Sequence, residues 1–88
     1  MALTLDQLRV LDAIERTGSF AAAAKALHRT TSAVSYGVKT LEEALGVDLF
    51  DRSGHRAALT PAGRLVLDAG RGSARSRARA RGAGRRAA

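Results

Sequence analysis

Apolar positions recur along this chain at helical spacing, then at a shorter period, then stop. Leu8, Leu11 and Ile14 form a stripe, widened by Leu5 and Val10. Phe20, Ala23, Ala24 and Leu27 fall at i, i+3, i+4 and i+7, and Val34, Val38, Leu41 and Leu45 repeat the pattern further on. Each set shares one face of a helix. Thr4 with Gln7 three residues on matches a capping box. Gly18 suits the left-handed residue that closes the first helix, and Ser19 caps the second. The second helix is expected to end near Leu27. His28, Arg29 and Thr30 form the turn, with Thr30 or Thr31 as the third cap. Gly46 ends the third helix, with Val47 placed to fold back on its last turn. The small residues Ala21 to Ala24 allow another helix to approach closely, as a helix-turn-helix requires.

Beyond Gly46 the period changes. Val47, Leu49 and Phe50, then the polar Asp51 to Arg56, then Ala57 to Leu59 suggest a small β-hairpin. Thr60-Pro61 announces a fourth helix, with Thr as cap and Pro at its first position. Leu65, Val66 and Leu67 give it something to bury. The expected fold is mainly α with one small β-hairpin, in the order helix, helix, helix, hairpin, helix: a winged helix-turn-helix.

At 88 residues the chain holds one small domain, of a size that buries only about 60% of the surface its unfolded chain exposes. The formal charge of +7 is unevenly placed. Eight Lys and Arg balance eight acids through Ala69, and seven arginines follow Gly70 with no acid among them. The domain is therefore assigned to residues 1–69, including the start of a linker helix, and 70–88 to a basic tail of Arg, Ala, Gly and Ser. Such a segment buries too little to offset its ordering entropy and is expected to be disordered when free. It reads as a nonspecific nucleic-acid tether, as an inert solvated tail, or as an out-of-frame readout of a GC-rich gene. The absence of Cys excludes disulfides and thiolate metal sites. No signal-peptide core or membrane-length apolar run is present, so a soluble cytoplasmic protein without a membrane partner is expected.

The motifs Leu5-Asp6-Gln7-Leu8, Gly18-Ser19-Phe20, Ala23-Ala24 with Leu27-His28, Ser35, Leu41-Glu42 with Leu45-Gly46-Val47, Leu49-Phe50-Asp51-Arg52 and Leu59-Thr60-Pro61-Ala62-Gly63 are individually weak. In this order and spacing, from about Leu3 to Ala69, the chain resembles the N-terminal DNA-binding domain of LysR-type transcriptional regulators. The resemblance implies a recognition helix in the major groove of double-stranded DNA and a wing on the flanking backbone or minor groove. It also implies a fourth helix that pairs two subunits, and a large effector-binding domain downstream. Thr31 and Ser32 stand where family members often have Gln and Pro, and Tyr36 where they often have Arg. The family's usual base preference is therefore not carried over. No segment corresponds to the effector domain, so the chain is expected to be a truncated regulator without a small-molecule effector site. With barely one apolar turn in the fourth helix, it is expected to be a monomer or weak homodimer.

Candidate contacts with DNA are Arg29, Thr30 and Thr31 at the turn, and Ser32, Ser35, Tyr36 and Lys39 opposite the apolar stripe of the third helix. Arg52, His55 and Arg56 flank Gly54 at the wing tip. Ser, Thr and Tyr present hydroxyls to base edges, and Lys and Arg reach phosphate or guanine. The bland readings are a solvated helix face and a solvated loop, with Arg52 paired to Asp48 or Asp51 and Lys39 to Glu43. Gly37, inside a helix, fits either close packing against another backbone or clearance for DNA. His28 is expected to pack or hydrogen-bond in its turn. Neither histidine has partners at metal-ligand or triad spacing, so no metal, no cofactor and no enzymatic activity are expected. Competing functions are a protein-interaction module, including a dominant-negative partner of an intact paralogue, and a nonspecific nucleic-acid binder driven by the tail.

Overall fold

Thr4 opens α1 (Leu5–Thr17) with a complete capping box: its hydroxyl accepts the Gln7 N–H at 3.0 Å, and Gln7 Oε1 accepts the Thr4 N–H at 2.9 Å. The computed structural model describes residues 3–72. Gly18 closes α1 at φ 74°, a region L side chains rarely adopt, and its N–H returns to the Ile14 carbonyl at 2.7 Å. Ser19 then caps α2 (Phe20–Ala26), accepting from Ala22 N–H at 3.1 Å. Thr30 takes the cap of α3 (Thr31–Leu45) through the Ala33 N–H at 3.1 Å, which decides between the two threonines. Gly46 ends α3 at φ 72°.

The hairpin is minimal. Strand β1 (Phe50–Asp51) pairs antiparallel with β2 (Ala58–Leu59), Phe50 opposite Leu59 and Asp51 opposite Ala58. Two residues per strand cannot stand alone, and three further hydrogen bonds extend the hairpin and anchor it to the helices. Ala57 N–H donates to the Gly18 carbonyl at 2.9 Å, Thr60 N–H to the Leu49 carbonyl at 3.0 Å, and the Glu42 carboxylate accepts from Leu49 N–H at 2.7 Å. Residues 61–72 form a fourth helix, α4, as far as the described residues extend. The Thr60 hydroxyl caps it by accepting from Gly63 N–H at 2.9 Å.

One core joins these elements. Leu11 and Ile14 of α1, Ala23 and Ala24 of α2, Val34 and Val38 of α3, Leu49 and Leu67 are buried together. The alanines bring α2 against both other helices, which fixes the helix-turn-helix angle. The expected winged helix-turn-helix order is the observed one.

Four local expectations change. Leu5 does not widen the α1 stripe; it is 68% exposed because no element covers the first turn on that side. Val47 folds back as far as returning its N–H to the Glu42 carbonyl at 3.3 Å, but it stays 40% exposed and outside the core. His28 neither packs nor hydrogen-bonds through its ring; it sits at φ 57° outside the core, with its N–H on the Lys25 carbonyl at 3.2 Å. Finally, the expected boundary at residue 69 falls inside α4. Gly70 packs close to Leu8, leaving no room for a Cβ, and Arg71 pairs with Asp12 and Glu15 of α1. That apolar contact and those charges continue the helix past the point where the apolar pattern ends. The rest of the expected tail, 73–88, lies outside the described residues.

Candidate nucleic-acid interface

Burial of Val34, Val38 and Leu41 turns the opposite face of α3 outward. Thr31, Ser32, Tyr36 and Lys39 are exposed there and Ser35 is half-buried. Tyr36 is 72% exposed at the middle of this face. Lys39 makes no ion pair with Glu43 or any other acid among the described residues, so its ammonium is available. Gly37 lies on the same exposed surface, and a Cβ built there meets nothing within 4 Å. Close packing therefore does not account for this glycine.

The candidate arginines are placed differently. Arg29 reaches back from the α2–α3 turn to the first turn of α1, where Nη1 and Nη2 donate to the two carboxylate oxygens of Asp6, the former at 3.0 Å. That hydrogen-bonded guanidinium holds the Asp6 carboxyl below its ordinary value. Arg52 pairs with neither Asp48 nor Asp51. Its guanidinium lies 3.9 Å from the centroid of the Phe20 ring, and that ring meets Phe50 edge-on at 5.7 Å. Arg52 thereby fastens the wing to the start of α2. Arg56 is drawn away from the wing tip: Nη2 donates to the carbonyls of Arg16 at 3.1 Å and Glu15 at 3.4 Å, at the end of α1. A cation there satisfies carbonyls that the helix leaves unpaired. All three wing candidates are exposed, but His55 alone of them makes no side-chain hydrogen bond or ring contact with the described residues; the turn itself is shaped by Asp51 Oδ1 accepting Ser53 N–H at 2.9 Å. Thr30 serves as a helix cap.

Two contributors form pairings that spacing along the sequence does not reveal. Glu42 reads as ordinary surface charge, yet its carboxylate receives the Leu49 N–H and, at 3.4 Å, the Phe50 N–H, joining α3 to β1. Asp6 neutralises Arg29 from 23 residues away. Neither pairing has a local pattern. Among the described residues no group of three His, Cys, Asp or Glu converges as a metal site, and no helix is long and apolar enough to cross a membrane.

This arrangement agrees with proteins already known. Residues 5–64 match the family of bacterial regulatory helix-turn-helix proteins of lysR type. The probable HTH-type transcriptional regulator YhaJ of Escherichia coli K12 is 61% identical over 70 residues, covering 80% of this chain and 24% of that protein. A probable RuBisCO transcriptional regulator of Cyanophora paradoxa is 49% identical over 67 residues, 76% of this chain and 21% of its own length. The chain thus spans about a quarter of the length of these curated relatives. In structure it is similar to the DNA-binding domain in the CbnR–DNA complex, with a TM-score of 0.77, 33% identity, and coverage of 97% of this chain and 98% of that one. It is likewise similar to the BenM DNA-binding domain bound at benA site 1, with a TM-score of 0.79, 25% identity, and coverage of 96% and 94%. The chain belongs to the lysR family of bacterial regulatory helix-turn-helix proteins.

Proposed function

We propose that this domain binds double-stranded DNA in transcription regulation, with α3 in the major groove and the hairpin against the flanking backbone. The observation that carries the reading is the outward face of α3. Ser32, Tyr36 and Lys39 stand exposed on one side of a helix whose other side is locked into the core. The similar CbnR and BenM domains, each in a complex with DNA, support it. Thr31, Ser32, Ser35 and Tyr36 read base edges; Lys39 and His55 take phosphate or base contacts; Thr30, Arg52 and Arg56 position the elements that do so. Bare Gly37 gives the groove wall clearance. Binding to chromosomal DNA places the protein in the cytoplasm, and the role involves no catalytic step.

Two copies meet on DNA that carries two half-sites, each placing one α3 in a major groove. Within α4, Leu67 is committed to the core while Leu65 is 71% exposed. That is little apolar surface for a free dimer, so the pairing is weak without DNA.

Binding-site selection tests the role of α3. The wild-type domain is expected to return a defined motif, and a Ser32→Ala, Ser35→Ala, Tyr36→Ala variant a different or relaxed one. Removing one good base-reading interaction costs about 1–3 kcal/mol at the preferred site. The same motif from both proteins would remove α3 from sequence readout.

A further inference from the structure

The Asp6–Arg29 pair stands beside the proposed reading face. Arg29 immediately precedes Thr30, the cap of α3, and in a helix-turn-helix the start of the recognition helix lies closest to the DNA. The pair also lines a groove of about 290 Å³ between α1 and α3, shared with Ala33, Tyr36 and Gly37. An arginine here is well placed for phosphate, which its planar fork grips with two parallel N–H donors. Both terminal nitrogens are instead engaged by the two oxygens of Asp6.

We infer that Asp6 is a specificity-determining residue: by engaging Arg29 it withholds one guanidinium from the DNA backbone and suppresses binding that ignores sequence. The inference rests on the DNA-binding reading above. Phosphate contacts strengthen binding to every sequence alike, whereas base contacts discriminate. A cation removed from the first class widens the gap between preferred and random sites. Stability is a weak alternative explanation, because both side chains are substantially exposed and such pairs contribute little to folding. The turn does not depend on the pair for its backbone, which Arg29 N–H fixes on the Ala24 carbonyl at 2.8 Å. Arg9, one turn along α1, is the other cation acting on Asp6. It stays unchanged throughout the test.

The test is a salt series of binding titrations on a short duplex of scrambled sequence. The proteins are wild type, Asp6→Asn, Arg29→Gln and the double variant, each checked for folding by circular dichroism. Asp6→Asn is expected to bind several-fold tighter at low salt. Its slope of log affinity against log salt should steepen by about 0.9, the increment for one further phosphate contact. Arg29→Gln should keep the wild-type slope, and the double variant should return to it. An unchanged slope in folded Asp6→Asn, or a steeper slope that survives in the double variant, overturns the inference while leaving DNA binding intact. If Asp6→Asn does not fold, Arg29→Gln decides. The wild-type slope supports the masking, and a slope shallower by about 0.9 shows that Arg29 already touches phosphate. A wild-type domain that binds no duplex at any salt removes the DNA reading itself.

Discussion

Glu42 Oε2 accepts the backbone N–H of Leu49 at 2.7 Å, so one carboxylate on α3 sets where the first strand of the wing begins. Leu49 is fully buried, and its amide makes no other hydrogen bond among those of the described residues. Glu42→Ala is expected to destabilise the domain by about 1–3 kcal/mol, the cost of an unsatisfied buried donor. Glu42→Gln, which keeps an acceptor, should lose less. Urea denaturation of the three proteins checks this; equal stability would show that water replaces the carboxylate without cost.

Gly37 and Gly63 are expected to respond oppositely to the same substitution. A Cβ at Gly37 meets open space, whereas one at Gly63 would collide with the Leu49 carbonyl oxygen. Gly37→Ala removes the entropic cost of glycine in a helix and should stabilise by about 0.5–1 kcal/mol. It should also weaken DNA binding, because the new methyl occupies the clearance proposed for the groove wall. Gly63→Ala forces α4 and the wing apart and should destabilise by about 1–3 kcal/mol. Thermal melts and titrations on a selected site read both. A Gly37→Ala protein that is more stable and binds as well as wild type would leave that glycine without a role at the DNA.

Acid should loosen α4 from α1. The Arg64 guanidinium, hydrogen-bonded to Glu15 at 2.9 Å with Arg71 close by, holds the Glu15 carboxyl below its ordinary value of 4.5. A carboxyl whose pKa is lower folded than unfolded binds more protons when unfolded. Its contribution is therefore complete well above pH 4.5 and disappears as pH falls through the lowered folded value. Melting temperatures measured from neutral pH downwards should fall in that window for wild type and less for Glu15→Gln. Parallel curves for the two proteins would show that the Glu15 pairs add nothing to stability.

The features legible in the sequence are those whose physics is local. Caps at Thr4, Ser19, Thr30 and Thr60 and terminators at Gly18 and Gly46 each act within a few residues, and the apolar period points Ser32, Tyr36 and Lys39 outward without knowledge of any other element. The destinations of long charged side chains are not legible there. Arg56 reaches carbonyls 40 and 41 residues away, and Arg52 meets Phe20 only because the wing folds onto α2. An arginine near a turn reads as free charge until the tertiary fold brings a carbonyl, a ring or a carboxylate within its reach. Gly37 is the converse case: the sequence leaves two accounts open, and the empty space above it discards packing.

The helical course of residues 70–72 decides how the arginine-rich segment should be tested. A cut at Gly70 would also remove Arg71, and with it the pairs to Asp12 and Glu15 that hold α4 on α1. Any weaker binding would then mix fewer phosphate contacts with a loosened fold. A cut after Gly72 leaves those pairs in place and removes six arginines, with no acid among residues 73–88. This shorter deletion is expected to keep the melting temperature and to weaken binding about equally for all DNA sequences. The slope of log affinity against log salt should become shallower by about 0.9 for each phosphate those arginines neutralise. Titrations on selected and scrambled duplexes at several salt concentrations measure both effects. An unchanged slope would mean that those arginines touch no phosphate, and weakening confined to the selected duplex would give them a part in reading sequence.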